Sequence, residues 1–181
     1  MINEKFEANV RMSPVISDSA FIAPGAVVLG DAEIQAGATV WYQVVIRADG
    51  DSIVVGSNSN VQDGTVLHAD DGFPCRIGQR VTIGHRAIVH GATVHDGALI
   101  GMGAIVMNGA VIGEHALIAA GAVVKENTVV EPQTLWAGVP AKLICKLPGP
   151  AIEKMSSAWQ HYVDAGTVYA EVVKKNDVLP D

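Results

Sequence analysis

Aliphatic residues recur every six positions along most of this 181-residue chain. The anchors are Ile16, Ile22, Val28, Ile34, Val40, Ile46, Val55, Val61, Leu67, Ile77, Ile83, Ile88, Val94, Ile100, Val106, Ile112, Ile118, Val124 and Val130. A small or β-branched residue follows most anchors by four positions, often directly after Gly. This period matches neither a 3.6-residue helix nor a long alternating strand, but it suits short strands joined by tight turns in which Gly supplies a positive φ. The repeat predicts an all-β solenoid.

The composition agrees with a thinly layered core and excludes several classes of protein. Hydrophobic residues make up 49% of the chain and aromatic residues only 5%, so the core must consist of Val, Ile and Ala. A net charge of -7 without any basic run argues against nucleic-acid binding. The longest uncharged stretch, from Gly97 to Gly113, is too rich in Gly for a membrane helix, and no apolar signal segment is visible. We therefore expect a cytoplasmic protein, with its two Cys as reduced thiols.

The repeat resembles that of the hexapeptide-repeat superfamily from about Val15 to Lys142. The resemblance implies a left-handed parallel β-helix in which three hexapeptides make one triangular coil. The left hand comes from the resemblance alone, because the general rule for parallel crossovers favours the opposite hand. We place this solenoid domain at residues 1–147.

A change of composition follows the repeat. Leu147 to Pro150 is a breaker, and apolar residues then recur at three-to-four-residue spacing. The spacing predicts an amphipathic helix over residues 151–164, with room for a second short helix after Gly166 to about Lys175. We expect residues 148–181 to pack along a face of the solenoid or to cap it.

Three of the six histidines lie where the repeat is interrupted. The unit that begins at Leu67 runs ten residues to Ile77 and contains an acidic insertion, whereas the unit from Ile83 runs only five residues to Ile88. His68, His85 and His90 fall in or beside these units. Interruptions of a regular scaffold are where function concentrates, so these three side chains are candidate metal ligands.

Counting units with a period of three faces predicts which side chains share a face. Arg47, Asp49, His68 and His90 fall on one face, with His68 and His90 on adjacent coils about 4.8 Å apart. Gln62, Asp63 and His85 fall on another face. A second copy of the chain, packed around a threefold axis, could bring its His85 to the pair. The count therefore predicts a homotrimer with interfacial sites of three imidazoles and one open position, which is the ligand set of a catalytic zinc.

Three segments resemble the γ-class carbonic anhydrase family, namely residues 46–49, 60–68 and 83–91. The resemblance implies reversible hydration of carbon dioxide to bicarbonate, with Zn²⁺ as cofactor and Fe²⁺ or Co²⁺ as alternatives. The implied roles are these: His68, His85 and His90 bind the metal, Arg47 and Asp49 form an interface ion pair, Gln62 orients the metal-bound hydroxide or the substrate, and Asn60 and Asp63 support Gln62.

The expected proton relay departs from the family pattern. The family has a Glu directly after the position of Asp49, where this chain has Gly50. The family has a second Glu in an acidic loop after the first metal-binding His, where this chain offers only Asp70 and Asp71 as relay candidates. Slow or buffer-dependent proton export is therefore expected. The family's site also contains an aromatic hydroxyl from the C-terminal helix, for which Tyr162 is the candidate.

Other functions fit the same scaffold. Hexapeptide acyltransferases share a chain ending like that of residues 136–142, although they do not need three coordinated histidines. Metal-dependent hydrolysis of a thioester, or a trimeric binding protein with an idle metal site, are further alternatives. We expect His95 and His115 on the remaining face as surface residues, and Cys75 as a loop thiol, with an approach to the site as the alternative.

Overall fold

A computed structural model describes residues 4–176 of the chain. In chain order its elements are α1 (Glu4–Val10), β1 (Val15–Ile16), β2 (Phe21–Ile22), β3 (Val27–Ile34), β4 (Thr39–Val40), β5 (Val45–Val55), β6 (Asn60–Val61), β7 (Val66–His68), β8 (Cys75–Ile77), β9 (Thr82–Ile83), β10 (Ile88–His90), β11 (Thr93–Val94), β12 (Leu99–Ile100), β13 (Ile105–Val106), β14 (Val111–Ile112), β15 (Leu117–Ile118), β16 (Val123–Val124), β17 (Val129–Val130), β18 (Thr134–Ala137), β19 (Lys142–Lys146) and α2 (Gly149–Asn176). Most strands have only two or three residues, as short hexapeptide units require.

The strands wind into a parallel β-solenoid with three faces and about seven turns. The first face carries the start of β3 and β5, followed by β7, β10, β13 and β16. The second face carries β1, the ends of β3 and β5, and then β8, β11, β14 and β17. The third face carries β2, β4, β6, β9, β12, β15 and β18, and closes with the antiparallel β19. The predicted solenoid and its three-unit coil are confirmed.

The core is a column of large aliphatics and Ala. One large residue per unit, such as Ile46, Ile83 or Ile100, has no exposed surface, and Ala residues fill the remaining space. Each fully buried aliphatic side chain contributes about 1.5–3 kcal/mol by removal from water. Corners between units adopt a positive φ, as at Gly37 with a φ of 69°.

One predicted anchor is wrong by a single residue. Val89 rather than Ile88 points into the core and pairs with Leu67, while Ile88 is only half-buried. The shortened unit therefore runs from Val89 to Val94. Both candidates are β-branched aliphatics, so periodicity alone could not choose between them, whereas pairing with the neighbouring coil does.

The C-terminal segment is one helix rather than two. α2 packs on the third face against β2, β4 and β6 and continues through Gly166. A Cβ at Gly166 would lie 2.6 Å from the Thr39 Cγ2 atom, so this Gly permits close packing instead of ending the helix. α2 thus lies along the solenoid and does not cap its end, and residues 177–181 of the predicted segment lie outside the described range.

Aromatic residues fasten α2 to the outside of the solenoid. The Trp41 ring contacts the rings of Phe21, Tyr162 and Tyr169 at centroid distances of 5.4, 5.6 and 5.1 Å. Phe21, Trp41 and Tyr162 thus lie between α2 and the third face, outside the aliphatic column, whereas Trp136 packs against the column near its C-terminal end. Neither helix within residues 4–176 has the length and apolarity that crossing a membrane requires.

α1 is an element that the repeat did not predict. It lies against β3 and β5, and its Asn9 is buried although Asn9 belongs to no hexapeptide. The Asn9 amide donates to the backbone carbonyl of Asp49 at 3.3 Å. The N-terminal segment is therefore anchored beside the interrupted units.

Candidate metal centre

Two imidazoles from adjacent coils of the first face meet side by side. β7 and β10 pair in parallel register, which sets His68 directly opposite His90. The Nδ1 atom of His68 lies 2.8 Å from the Nε2 atom of His90, and the ring centroids are 4.7 Å apart. Both side chains point outward because the preceding residue of each strand, Leu67 or Val89, points into the core. The predicted pairing of these two histidines is confirmed.

The outer nitrogen of each ring faces an oxygen. His68 Nε2 lies 2.9 Å from the Asp49 Oδ1 atom, and His90 Nδ1 lies 2.7 Å from the Asn108 Oδ1 atom. Oxygens accept hydrogen bonds, so the proton of each neutral ring belongs on these outer nitrogens. Two lone pairs then face each other across 2.8 Å, and a cation or a proton between them removes the repulsion. This donor set fits a divalent metal that prefers imidazole nitrogen.

Asp49 joins the histidine pair to a cation. Its carboxylate contacts the Arg47 guanidinium through Oδ2 and His68 through Oδ1, and the residue is buried. Burial alone would raise the pKa of this carboxyl, but the hydrogen bonds from Arg47 and His68 lower it overall. Asp49 is therefore ionised and holds the His68 ring in place. The Arg47 side chain is half-exposed, with its outer part at the surface of the first face.

The acidic insertion folds back beside the pair. One ligand atom from each of His68, His90 and Asp70 lies within 4.8 Å of the others. Asp71 instead turns to α1, where Lys5 Nζ bridges Asp71 and Asp51 at 2.7 Å each. The two relay candidates thus have different surroundings, since only Asp70 lies beside the histidines.

His85 belongs to a separate group on the third face. Its Nδ1 atom lies 2.9 Å from the Asp63 carboxylate, and its backbone N–H donates to Gln62 Oε1 at 3.2 Å. Gln62 Nε2 donates to Asn60 Oδ1 at 3.0 Å, and Asn60 Nδ2 donates to Thr82 Oγ1 at 2.9 Å. The sequence count placed His85, Gln62 and Asp63 together and away from the pair, and the strand register confirms that placement.

Tyr162 lies near this second group and not near the histidine pair. Its ring packs on Trp41, and burial together with the negative charge of Asp63 raises the pKa of its phenol. The surroundings of His85 are open, where Asp63, Arg86 and Met102 line a depression on the surface. One chain therefore carries two histidine groups, on two different faces.

Comparison with known proteins identifies the family. A "Probable carbonic anhydrase" of Methanocaldococcus jannaschii is 48% identical over 82% of this chain and 94% of its own length. The carbonic anhydrase of Geobacillus kaustophilus is 40% identical over 93% of both chains. "Gamma carbonic anhydrase 2, mitochondrial" of Arabidopsis thaliana is 39% identical over 91% of this chain, which spans 61% of the length of that relative. The chain belongs to the γ-class carbonic anhydrase-like family of hexapeptide-repeat proteins.

Repeat and fold comparisons agree with a hexapeptide-repeat solenoid. A family profile described as "Bacterial transferase hexapeptide (six repeats)" matches residues 91–126. The crystal structure of a Bacillus cereus protein, an acetyltransferase candidate by its description, has a TM-score of 0.88 with 36% identity and covers 90% of this chain and 94% of its own. A hexapeptide transferase family protein of Anaplasma phagocytophilum reaches 0.83 with 38% identity, covering 86% of this chain and 92% of its own.

Other candidate residues of this γ-class family member have mixed outcomes. His95 is exposed after β11 on the second face, as expected. His115 is half-buried at a corner with a φ of 54°, so it is not a plain surface residue. The expectation that Cys75 is a loop thiol is wrong, because it begins β8 with its thiol in the core, where burial raises its pKa to about 12. Core burial also rules out an approach of Cys75 to the histidine pair.

Several contacts around the family's histidines were not predicted from sequence. Asn9 binds the backbone of Asp49, and Lys5 binds Asp71 of the acidic insertion. Thr82 accepts from Asn60, and Asn108 contacts His90. Asn108 follows His90 by 18 residues, which is one coil of three hexapeptides. The repeat period could therefore have identified Asn108. No comparable signal points to Asn9 or Lys5, which precede the repeat.

Proposed function

We propose that this protein catalyses the reversible hydration of carbon dioxide to bicarbonate at metal sites between the subunits of a homotrimer. The observation that carries the proposal is the facing pair of imidazole nitrogens, 2.8 Å apart, in a chain whose relatives of 40–48% identity are named carbonic anhydrases. A cation between those nitrogens relieves their repulsion. The chemistry of the pair and the names of the relatives thus support the same function.

Three histidines would hold the metal. His68 and His90 supply two nitrogens from one subunit, and His85 of a neighbouring copy supplies the third. The Asp63 carboxylate at 2.9 Å keeps the proton of His85 on Nδ1, which leaves Nε2 free for coordination. When bound, Zn²⁺, or alternatively Fe²⁺ or Co²⁺, supplies a Lewis acid that lowers the pKa of water to about 7.

The amide of Gln62 would orient the reacting oxygen. Its Oε1 atom accepts from His85 and one Nε2 hydrogen goes to Asn60, so the second Nε2 hydrogen remains as a donor. Gln62 is buried, and this network fixes the direction of that donor. Asn60 in turn is held by Thr82, which gives it a supporting role. Tyr162 would add a hydroxyl at the edge of the same site.

The Arg47–Asp49 pair would lie at the subunit interface. Asp49 is buried within its own chain, whereas the Arg47 side chain is half-exposed on the face that carries the histidine pair. A neighbouring copy that presents His85 to this face must cover Arg47. The ion pair would therefore orient His68 and take part in assembly.

Proton export is the step for which this chain is least equipped. Gly50 occupies the position where the resembling family has a Glu, and a side chain there would meet the Ala69 carbonyl oxygen at 2.3 Å. Asp70 and Asp71 remain as candidate proton carriers. We expect exogenous imidazole buffer to accelerate turnover, because a mobile base can replace a missing relay.

Metal analysis and stopped-flow carbon dioxide hydration test the proposal together. We expect zinc, iron or cobalt near one per subunit, hydration above the buffer rate, and acceleration by imidazole. His68→Ala should lose both metal and activity, whereas His95→Ala, an exposed histidine on the second face, should lose neither. No rate above buffer with or without imidazole would eliminate carbonic anhydrase activity, and a monomer in sedimentation that binds metal tightly would eliminate the shared site.

Acyl transfer is the second candidate. It is favoured by the Bacillus cereus and Anaplasma phagocytophilum structures, whose descriptions name transferases and whose chains are 36% and 38% identical to this one. Release of free coenzyme A from acetyl-CoA with a panel of amine and alcohol acceptors would test it. Acetyl-CoA hydrolysis without an acceptor would instead indicate a metal-dependent thioesterase, and metal without any turnover an idle site.

A further inference from the structure

His90 is held by a two-residue chain that the proposed function does not assign. Its Nδ1 atom lies 2.7 Å from the Asn108 Oδ1 atom, and Asn108 Nδ2 donates to Asp70 Oδ2 at 2.9 Å. An ionised Asp70 carboxylate can only accept hydrogen bonds, so the NH₂ end of the Asn108 side chain must face it. The Asn108 oxygen then faces His90 and accepts its Nδ1 proton.

The backbone is shaped to admit this amide. Gly91 has a φ of 56°, and a Cβ there would lie 2.3 Å from the Asn108 Oδ1 atom and 2.8 Å from the Phe73 Cβ atom. Only a residue without a side chain leaves room for both. The acidic loop also closes on itself through a bridge between Asp70 and Phe73, which presents the Asp70 carboxylate to Asn108. Two coils and the inserted loop therefore meet at His90.

We propose that Asn108, held by Asp70, is a positioning residue that fixes the proton of His90 on Nδ1 and directs its Nε2 lone pair toward His68. The inference rests on the proposed function only for the claim that His90 binds a metal, because the tautomer of His90 is a property of the metal-free chain. It also gives Asp70 a holding role in place of the relay role expected from sequence. A carboxamide does not pass a proton along, so the Asp70–Asn108–His90 chain conducts none.

Nitrogen NMR of the metal-free protein tests the tautomer directly. At about pH 8.5 the ¹⁵N shifts of His90 should report one neutral tautomer with the proton on Nδ1. Asn108→Ala should give a mixture of both tautomers. Asn127→Ala is the control, because the Asn127 Oδ1 atom lies 2.3 Å from a Cβ placed at Gly109, as Asn108 Oδ1 does at Gly91, without any contact to a histidine in residues 4–176. Asn127 differs in having a φ of 55°, so a small loss of stability is expected in this control. An unchanged His90 signal in Asn108→Ala would overturn the proposal.

Metal affinity separates holding from relaying. Chelator competition with Zn²⁺ should show 10–100-fold weaker binding for Asn108→Ala and for Asp70→Ala, which leaves Asn108 Nδ2 without its acceptor, and no change for Asn127→Ala. A relay role for Asp70 predicts the opposite pattern, with full affinity and activity restored by imidazole. If Asp70→Ala loses metal while Asn108→Ala keeps it, Asp70 is itself a ligand and the positioning role is wrong.

Exchange of the two side chains guards against simple misfolding. The double variant Asp70→Asn, Asn108→Asp restores an oxygen acceptor for His90 and a donor for that carboxylate, so it should recover the single tautomer and most of the metal affinity. Position 70 then has no carboxylate to carry protons. Failure of the double variant to recover either property, in protein with a normal thermal unfolding profile, would overturn the proposal. Because both readouts precede catalysis, loss of the anhydrase hypothesis alone would leave them unaffected.

Discussion

Residues 99–130, the regular coils, and residues 45–90, the interrupted coils, use the same scaffold in opposite ways. Within the regular coils every buried side chain is Ala, Val or Ile. The buried polar residues of the described chain are Asn9, Thr39, Asp49, Ser59, Asn60, Gln62, Thr65, Thr82 and Thr134. Seven of these nine lie between residues 39 and 82, in or next to the interrupted coils. Buried polar side chains therefore concentrate where the repeat is interrupted, and the unbroken coils bury aliphatic side chains alone.

The polar residues are tolerated because they satisfy one another. Burying an amide or hydroxyl without a partner costs roughly 1–3 kcal/mol, which is comparable with what one core aliphatic contributes. Asn60 and Gln62 share a hydrogen bond, and Thr65 donates to the Gly84 carbonyl at 3.1 Å. Stacked coils offer such partners at a fixed spacing. A site can therefore be built into this scaffold without loss of the column beneath it.

Removal of His85 should give the largest effect. We expect His85→Ala to reduce carbon dioxide hydration to the buffer rate, because it removes one of the three proposed metal ligands. Mixing His85→Ala subunits with His68→Ala subunits should restore about a quarter of wild-type activity at equal amounts, because one in four randomly formed interfaces combines two intact halves. Stopped-flow assays after co-refolding measure this recovery, and no recovery would contradict a site shared between subunits.

In the regular coils a core change should affect stability alone. Ile100→Ala removes a fully buried side chain and should lower the free energy of unfolding by about 2–5 kcal/mol. Metal content per folded subunit should stay unchanged. Urea denaturation measures the loss, and Leu99→Ala on the outward side of the same strand is the control with a smaller expected loss. Loss of metal from folded Ile100→Ala protein would contradict the prediction that the regular coils affect stability alone.

In the interrupted coils a polar change should affect turnover more than metal binding. Gln62→Ala removes the proposed donor to the reacting oxygen, and loss of one such donor lowers kcat by roughly 10²–10³-fold. Metal content should be retained, because Gln62 contacts the backbone of His85 and not its ring. Gln35→Ala provides a control glutamine outside the site. Equal loss of metal and activity in Gln62→Ala would assign Gln62 to structure.

The smallest effect is expected where α1 meets the interrupted coils. Burial opposes ionisation of Asp51, but hydrogen bonds from Lys5, Ser52 and Gly72 lower its pKa below the ordinary 3.8. A lowered pKa contributes stability that is present above pH 3.8 and lost as the pH falls through the lowered value. Asp51→Asn should therefore be slightly less stable than wild type at neutral pH and equal to it in acid. Unfolding curves at several pH values measure this, and a difference that persists in acid would contradict it.

The parts that followed from sequence are those that the repeat dictates. The solenoid, the three faces, the pairing of His68 with His90 and the separation of His85 all follow from counting in sixes. Side-chain details do not, because hydrogen bonds depend on which neighbour is stacked above or below. Asn108 illustrates a detail that the 18-residue coil period could have supplied. α1 and the continuous α2 lie outside the repeat, where only weak local propensities act.

The antiparallel β19 has a consequence for what the molecule avoids. A stack of parallel coils ends in exposed backbone groups that could add further coils from another molecule, as in a growing fibre. β19 is antiparallel to β18 and has Lys142 and Lys146 at its ends. On the first face, the Ala141 backbone N–H donates to the Val123 carbonyl oxygen at 2.7 Å, so this carbonyl is already paired. Reversed direction and positive charge give an incoming coil no matching template. This hairpin thus favours discrete particles over end-to-end filaments.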